Sequence, residues 1–303
     1  MTDTTDDSST APAGTPADTP TGTPTDVAVI TGGAGGMGLA TARKLGGDHV
    51  IVLSDVNGQK LRTAADSLTA EGITVYVAPC DITDRASVAA LFETASSHGH
   101  VRAVVHAAGV SPQMGDPDFI IRVNGLGTVN ITREYLRTAR EGDALVNVAS
   151  IAGHMSPTVL QPTRIFARAL TDVDAFVAKM TAATKIVPAA SRSGMAYSVS
   201  KSFVIWYSAR MAADFGEHGA RILSVSPGSF DTDMGQLEKD HGSGKMVEYA
   251  ALKRFGRPEE IAAVLAFAVS REPGYLTGTD ILVDGGNRAG LGLRGMLDMA
   301  KSQ

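Results

Sequence analysis

The stretch Val27-Ala-Val-Ile-Thr31-Gly-Gly-Ala-Gly-Gly-Met-Gly38-Leu-Ala-Thr-Ala42 decides the fold. A β-rich apolar run passes through a turn dense in glycine and opens directly into a helical pattern. Glycines placed there permit a tight turn and let the backbone approach a pyrophosphate, which the N-terminus of the following helix then holds. Glycine-rich turns serve many purposes, and the position between strand and helix is what gives this one its meaning. No Lys followed by Ser or Thr ends it, so it is not the loop that cradles nucleoside triphosphates. The second apolar run closes on Val52-Leu-Ser-Asp55, a carboxylate where the adenosine ribose hydroxyls of a dinucleotide would be accepted. A 2′-phosphate would meet like charge there, and neither the glycine turn nor residues 56–58 carry a cation. The reading is NAD rather than NADP.

The rest of the body repeats the alternation. Residues 27–31, 49–54, 74–78, 102–106, 144–149, 221–226 and 280–283 read as seven strands. Most are continuous Val, Ile, Leu and Ala runs of the kind covered on both faces. Helical patterns lie near 37–46, 57–70, 84–97, 117–140, 195–216 and 258–269, the last opened by Pro258 and the dipole-complementing Glu259 and Glu260. The expectation is one α/β domain over residues 26–303, a Rossmann-type, doubly wound, seven-stranded parallel sheet with helices on both faces. One segment breaks the rhythm. Tyr197 follows Ser150 by 47 residues, far more than a strand-to-helix loop requires. Within it Ile165, Phe166, Leu170, Val173, Phe176, Val177 and Met180 recur at helical spacing, while Arg164, Arg168, Asp172 and Lys179 fall on other faces. That predicts one amphipathic helix within a 154–191 insertion, placed to pack on the body, cover a pocket or face another subunit.

With 44% hydrophobic and 19% charged residues, the chain has the composition of a globular protein with a sizeable core. The first 26 residues differ, with nine Thr, five Asp, prolines at 12, 16, 20 and 24, and no Lys or Arg. A segment of that make-up cannot offset its ordering entropy by apolar burial, so residues 1–25 are expected to be disordered. They lack the basic start and apolar centre of a secretory signal. Five of the 32 acidic residues lie in that stretch, so residues 27–303 carry 27 acidic and 27 basic residues. Such a balance offers no nucleic-acid surface, and no apolar run is long enough for a bilayer. Cys80 is the only cysteine, which excludes an internal disulfide and fits the cytoplasm. The seven histidines show no metal-ligand spacing, and no metal is expected. His98 and His100 read as solvated loop residues.

In Gly194-Met-Ala-Tyr197-Ser-Val-Ser-Lys201, the tyrosine and lysine are four apart, on one helix face and one turn from each other. An ammonium beside a phenol favours the phenolate. Moving a tyrosine from about 10 to about 7 takes roughly 4 kcal/mol of such stabilisation. The spacing alone is common; its weight comes from the nucleotide turn upstream and from Ser150 as a candidate partner hydroxyl.

At this point the chain resembles the short-chain dehydrogenase/reductase family over roughly residues 26–290. Thr31-Gly-Gly-Ala-Gly-Gly-Met-Gly38 matches its T-G-x-x-x-G-x-G, and Tyr197 with Lys201 matches its Y-x-x-x-K. Cys80-Asp81-Ile82 is similar to the family's step beside the adenine, and Pro227-Gly228-Ser-Phe-Asp-Thr232 to its nicotinamide-amide segment. His106-Ala-Ala108-Gly109 stands where the family has N-N-A-G; His106 departs from it and reads as structural. The resemblance implies that Gly32, Ala34, Gly36, Met37, Gly38, Asp55, Asp81, Ile82, Ala108, Gly109, Tyr197, Lys201, Pro227, Gly228 and Thr232 hold NAD. It also implies a tetrad. Tyr197 would exchange the proton, Ser150 of Asn147-Val-Ala-Ser150 would hold the substrate oxygen, and Lys201 would bind the nicotinamide ribose and lower the Tyr197 pKa. Asn124 of Val123-Asn124-Gly would fix a water that links Lys201 to solvent. The expected reaction interconverts a secondary alcohol and a ketone.

Two departures shape the expectation further. The span from Gly109 to Asn124 is short for the family and the 154–191 insertion is long. Together they resemble bacterial 3α-hydroxysteroid dehydrogenase/carbonyl reductases and imply a hydrophobic, steroid- or terpenoid-like substrate. A homodimer or homotetramer is expected, with the helix that carries Tyr197 in doubt as a subunit contact. The apolar tail residues Leu291, Leu293, Met296, Leu297 and Met299 would close a pocket or make a dimer contact. Trp206 and Tyr207 read as core or interface. The rivals are a catalytically silent NAD-sensing protein on the same fold, disfavoured by Tyr197 and Lys201, and an epimerase-like relative. Only about 75 residues follow Pro227, few for the epimerases' larger C-terminal substrate domain.

Overall fold

Where the sequence carries continuous Val, Ile and Leu runs, the computed structural model forms seven strands; it describes Met1, residues 26–238 and residues 244–291. Except for Met1 and Leu291, the expectations for residues 1–25 and for the C-terminal tail lie outside the described residues. The first half comprises β1 (Asp26–Thr31), α1 (Gly36–Leu45), β2 (Val50–Ser54), α2 (Gly58–Ala70), β3 (Val75–Val77), α3 (Arg85–Ser96) and β4 (His100–His106). Next, α4 (Pro117–Ile121) runs through a π-helical turn at Arg122–Leu126 into α5 (Gly127–Leu136), and β5 (Ala144–Val148) follows. The inserted segment contains α6 (Thr163–Phe166), α7 (Arg168–Thr171) and α8 (Val173–Ala183). The remainder is α9 (Arg192–Arg210), α10 (Ala212–Gly216), β6 (Arg221–Pro227), α11 (Asp233–Glu238), α12 (Gly244–Tyr249), α13 (Pro258–Val269) and β7 (Asp280–Val283).

All pairings in the sheet are parallel, in the order β3-β2-β1-β4-β5-β6-β7. Neighbouring residues of a strand point to opposite faces, and β1 shows it: Val27 and Val29 join one core cluster, Ala28 and Ile30 the other. The first cluster is filled from α3, α4, α5, α9 and the insertion, the second from α1, α2 and α13. The winding reverses between β1 and β4, so a crevice opens at the carboxyl ends of those two strands. In sheets of this type ligands bind there.

The insertion corrects the sequence reading. Its apolar residues are buried, yet they lie on three short helices instead of one. At Asp172 the backbone turns extended (φ −147°, ψ 91°) and the carboxylate accepts the Ala175 N–H at 2.9 Å, capping α8. The residue that looked like part of a polar helix face is the one that interrupts the helix. Phe166 and Phe176 are fully buried against Phe203 of α9, at centroid distances of 5.5 and 4.4 Å. Arg133 of α5 donates to the Ala169 and Leu170 carbonyls at 2.7 and 3.0 Å, satisfying carbonyls at the end of α7. The middle of the insertion therefore packs on the body. Trp206 packs on Phe166 from the same helix that buries Tyr207 completely. The histidine expectation holds only in part. His98 lies in the turn after α3, partly exposed and stacked on Tyr76 at 3.5 Å, whereas His100 begins β4 with its Nε2 2.8 Å from Asp143. No helix among the described residues is long and apolar enough to cross a membrane.

Candidate active site

The glycine turn is built by contacts that a side chain would destroy. Gly32 has φ +66°, and a Cβ there would begin 2.7 Å from the Ala108 backbone nitrogen. At Gly38 it would begin 2.3 Å from the Gly32 carbonyl oxygen, which is why α1 can sit so close to β1. The helix starts with Gly35 as its N-cap, without a side-chain cap and without an acidic residue in its first turn. Its leading amides and the positive end of its dipole are thereby left to a ligand.

This turn forms one end of a cleft of about 1530 Å³. That is larger than the roughly 300–1,000 Å³ that one small ligand needs, and leaves room for a dinucleotide with a second molecule. Every residue assigned to the cofactor from the sequence lines it, as do Ser150, Tyr197 and Lys201. Asp55 sits at the carboxyl end of β2 and its Oδ1 accepts the Asn57 N–H at 3.0 Å. Asp81 is held by Thr83, and the Ile82 carbonyl accepts from Asn130 Nδ2 at 2.9 Å. Gly228 donates its N–H to the Val283 carbonyl at 2.9 Å, and Thr232 lies against Gly36 across the cleft. The glycine cradle, the open helix terminus and the Asp55 carboxylate suit a nicotinamide dinucleotide.

Lys201 is buried, its Nζ donates to the Val148 carbonyl at 3.0 Å, and it lies 5.9 Å from the centre of the Tyr197 ring. Ser150 begins the tight turn Ile151–His154 and its Oγ accepts the Ala152 N–H at 3.1 Å. That turn is clamped to α9. Ser198 donates to the Ala152 carbonyl at 2.9 Å and Ser202 to the Gly153 carbonyl at 2.8 Å. A Cβ at Gly153 would begin 2.9 Å from the Lys201 backbone, so only glycine lets the Ser150 turn and the Tyr197 helix meet this closely. On its far side His154 Nε2 lies 2.9 Å from Asp280 Oδ2, tying the turn to β7.

Asn124 does not reach the cleft. It is buried in the π-helical turn, a distortion frequent at functional sites. Its Oδ1 accepts the Val110 N–H at 2.9 Å, and its Nδ2 donates to the Val110 carbonyl at 3.0 Å and to Ser200 Oγ at 3.2 Å. A side chain at Gly109 would begin 3.1 Å from Asn124 Oδ1 and 3.3 Å from Lys201 Nζ, so the two groups approach the same point from either side.

His106 explains its own departure from the family pattern. The Ala108 N–H donates to Thr31 Oγ1 (3.3 Å), which pairs with His106 Nδ1 (2.7 Å); His106 Nε2 pairs with Thr128 Oγ1 (3.3 Å), which donates to the Asn124 carbonyl (2.8 Å). One direction of donation satisfies the whole chain, with the imidazole neutral and its proton on Nε2. Burial, with the Lys201 charge second, pushes His106 down to about 3, which keeps it neutral. This chain joins the glycine turn to the Asn124 turn. The sequence reading also missed Lys60, which lines the cleft from α2 and lies 3.8 Å from Asp233 of α11. No local signal marks it, because the proximity arises from the fold.

Residues 26–162 match the family model described as short chain dehydrogenase, and residues 164–288 match one described as enoyl-(acyl carrier protein) reductase. The short-chain dehydrogenase/reductase bsc3 of Alternaria brassicicola is 32% identical over 258 residues, covering 84% of this chain and 93% of that protein. The 3beta-hydroxysteroid dehydrogenase 2 of Eggerthella lenta is 26% identical over 276 residues, covering 86% and 93%. Among solved structures, a variant of actinorhodin polyketide ketoreductase with NADPH superposes with a TM-score of 0.68 at 21% identity, covering 87% of this chain and 97% of that one. That last likeness shows the fold alone.

Proposed function

The chain belongs to the short-chain dehydrogenase family, and on that premise we propose that it interconverts a hydrophobic secondary alcohol and its ketone with NAD(H), Tyr197 acting as general acid and base. Membership makes it an oxidoreductase of alcohols and ketones that uses a nicotinamide cofactor. The catalytic assignment is carried by one observation: Ser150, Tyr197 and Lys201 line the same cleft as the glycine turn.

When bound, the nicotinamide supplies or receives the hydride. Tyr197 gives its proton to the substrate oxygen in reduction and takes it back in oxidation. Ser150 Oγ donates a hydrogen bond to that oxygen, where negative charge develops. The Lys201 ammonium beside the Tyr197 ring favours the phenolate and holds the nicotinamide ribose. Asn124, across Gly109 from Lys201, is assigned the water that links Lys201 to solvent.

The substrate reading is supported by the walls beyond Tyr197. Met114, Phe119, Met155, Val187 and Leu237 line the cleft, two of them from the ends of the long insertion. That insertion and the short Gly109-to-Asn124 span support a place near the 3α-hydroxysteroid dehydrogenase/carbonyl reductase branch. For the cofactor, Asp55 supports NAD, because a 2′-phosphate would face its charge. Lys60 supports a second reading, NADP, as the cation on the cleft wall nearest in sequence to Asp55.

Turnover of steroid and terpenoid alcohols, hydroxyacyl compounds and small polyols, followed by nicotinamide absorbance with each cofactor, tests both points. Activity is expected on the hydrophobic members, with kcat/KM at least about tenfold higher for NAD(H) than for NADP(H). A preference for NADP(H) would move the assignment to Lys60. Turnover of small polyols alone would remove the hydrophobic substrate.

A further inference from the structure

At the opposite edge of the sheet, where the strands begin, Arg102, Arg221 and Arg271 line a second cleft of about 390 Å³ with Glu141, Gly142 and Gly219. Arg102 and Arg221 are each 6% exposed. Arg221 is turned to backbone carbonyls: Nη1 donates to those of Ala268 and Leu276 at 2.9 and 3.1 Å, and Nη2 to that of Ser270 at 2.6 Å. None of these acceptors is a carboxylate. Arg102 Nε lies 3.4 Å from Asp26 Oδ2, but its Nη2 is buried and has no hydrogen-bond partner among the described residues. Arg271, with a largely exposed side chain, shares the same Asp26 oxygen at 3.5 Å.

Among the described residues, the nearby acids leave this positive charge only partly answered. Asp26 is divided between two arginines, Asp143 accepts from His100 and from the Arg140 N–H, and Glu141 is exposed at the rim. Burial, with the Arg102 charge second, holds Arg221 below its usual value, in keeping with like charges packed close together. A buried guanidinium N–H without an acceptor is costly, and planar guanidinium groups fit tetrahedral oxyanions through paired hydrogen bonds.

We propose that this cleft is an oxyanion site that receives inorganic phosphate, or the phosphate group of a larger metabolite, on Arg102 and Arg271. It lies at the amino ends of the strands whose carboxyl ends carry the dinucleotide cleft. Occupancy therefore stabilises the fold without competing with the cofactor.

A thermal-unfolding titration with inorganic phosphate tests this, at constant ionic strength and with excess NADH and NADPH present to keep the dinucleotide cleft filled. Phosphate is expected to raise Tm saturably where chloride does not. The rise is expected to vanish in R102M, and the phosphate Kd to increase by about tenfold or more in R271A. Arg271 is exposed and can be replaced without loss of the fold, so R271A carries the comparison if R102M does not fold. The site is overturned if phosphate does no more than chloride, or if R271A responds like the parent. It is also overturned if Asp3→Asn, Asp6→Asn, Asp7→Asn and Asp18→Asn together shift Tm while phosphate has no effect. The occupant would then be the chain's own acidic N-terminal segment, which enters β1 at Asp26 beside the cleft.

Discussion

A methyl group at position 153 would begin 2.9 Å from the Lys201 backbone, between the turn that starts at Ser150 and the helix that carries Tyr197. Gly153→Ala must push these two elements apart. Overpacking of this kind costs about 1–3 kcal/mol. Urea unfolding is expected to show that loss, and kcat to fall more than the cofactor KM rises, because Ser150 moves while the glycine turn does not. The proposed role of Asp55 in cofactor choice is tested in a different way. Its carboxylate lies in the cleft with Lys60 on the same wall, so Asp55→Asn removes like-charge repulsion and leaves the cation in place. The ratio of kcat/KM for NADPH to that for NADH is expected to rise by about tenfold or more, and an unchanged ratio would remove Asp55 from that role.

On the scale of elements, the strands were legible because runs such as Val27-Ala-Val-Ile and Leu145-Val-Asn-Val are apolar on both faces and end in turn residues. The insertion was legible in composition and misread in shape. Helical spacing of Ile165, Phe166, Phe176 and Met180 survives the break at Asp172, since the short helices on either side of it still turn their apolar residues into one core cluster, with Phe166 and Phe176 both on Phe203 of α9. Periodicity reports the buried face and is blind to a capping carboxylate in its midst. Asp172→Ala is expected to cost about 1 kcal/mol through loss of the α8 cap, and Phe176→Ala about 3–5 kcal/mol. Denaturant midpoints would read both, and the order of the two effects matters more than their size. The π-helical turn around Asn124 had no sequence signal either. It shows only when Val110 and Ser200 are brought to Asn124 from two other segments, while Thr128 of the same helix bonds its carbonyl.

Across the whole molecule, the parallel sheet sets a neutral, fully buried histidine between the glycine turn and the Asn124 turn, and this gives stability a pH dependence. His106 is depressed to about 3 in the folded protein, whereas an unfolded histidine titrates near 6.5. Between those values the unfolded chain binds a proton that the folded one refuses. The contribution is therefore complete above about pH 6.5 and is lost as pH falls toward 3, at about 1.4 kcal/mol per pH unit. Going from pH 7 to pH 5, the parent is expected to lose about 2 kcal/mol more than His106→Gln in chemical denaturation. The cleft itself follows from the same architecture. Motifs spread over some 200 residues of sequence converge because the winding reverses between β1 and β4. The convergence of Tyr197, Lys201 and Ser150 on that cleft is tested most directly by Tyr197→Phe, measuring turnover together with NADH binding by fluorescence. Turnover is expected to fall by about 10³-fold or more while the NADH Kd changes by less than about threefold. Turnover within about tenfold of the parent would contradict Tyr197 as the group that moves the proton.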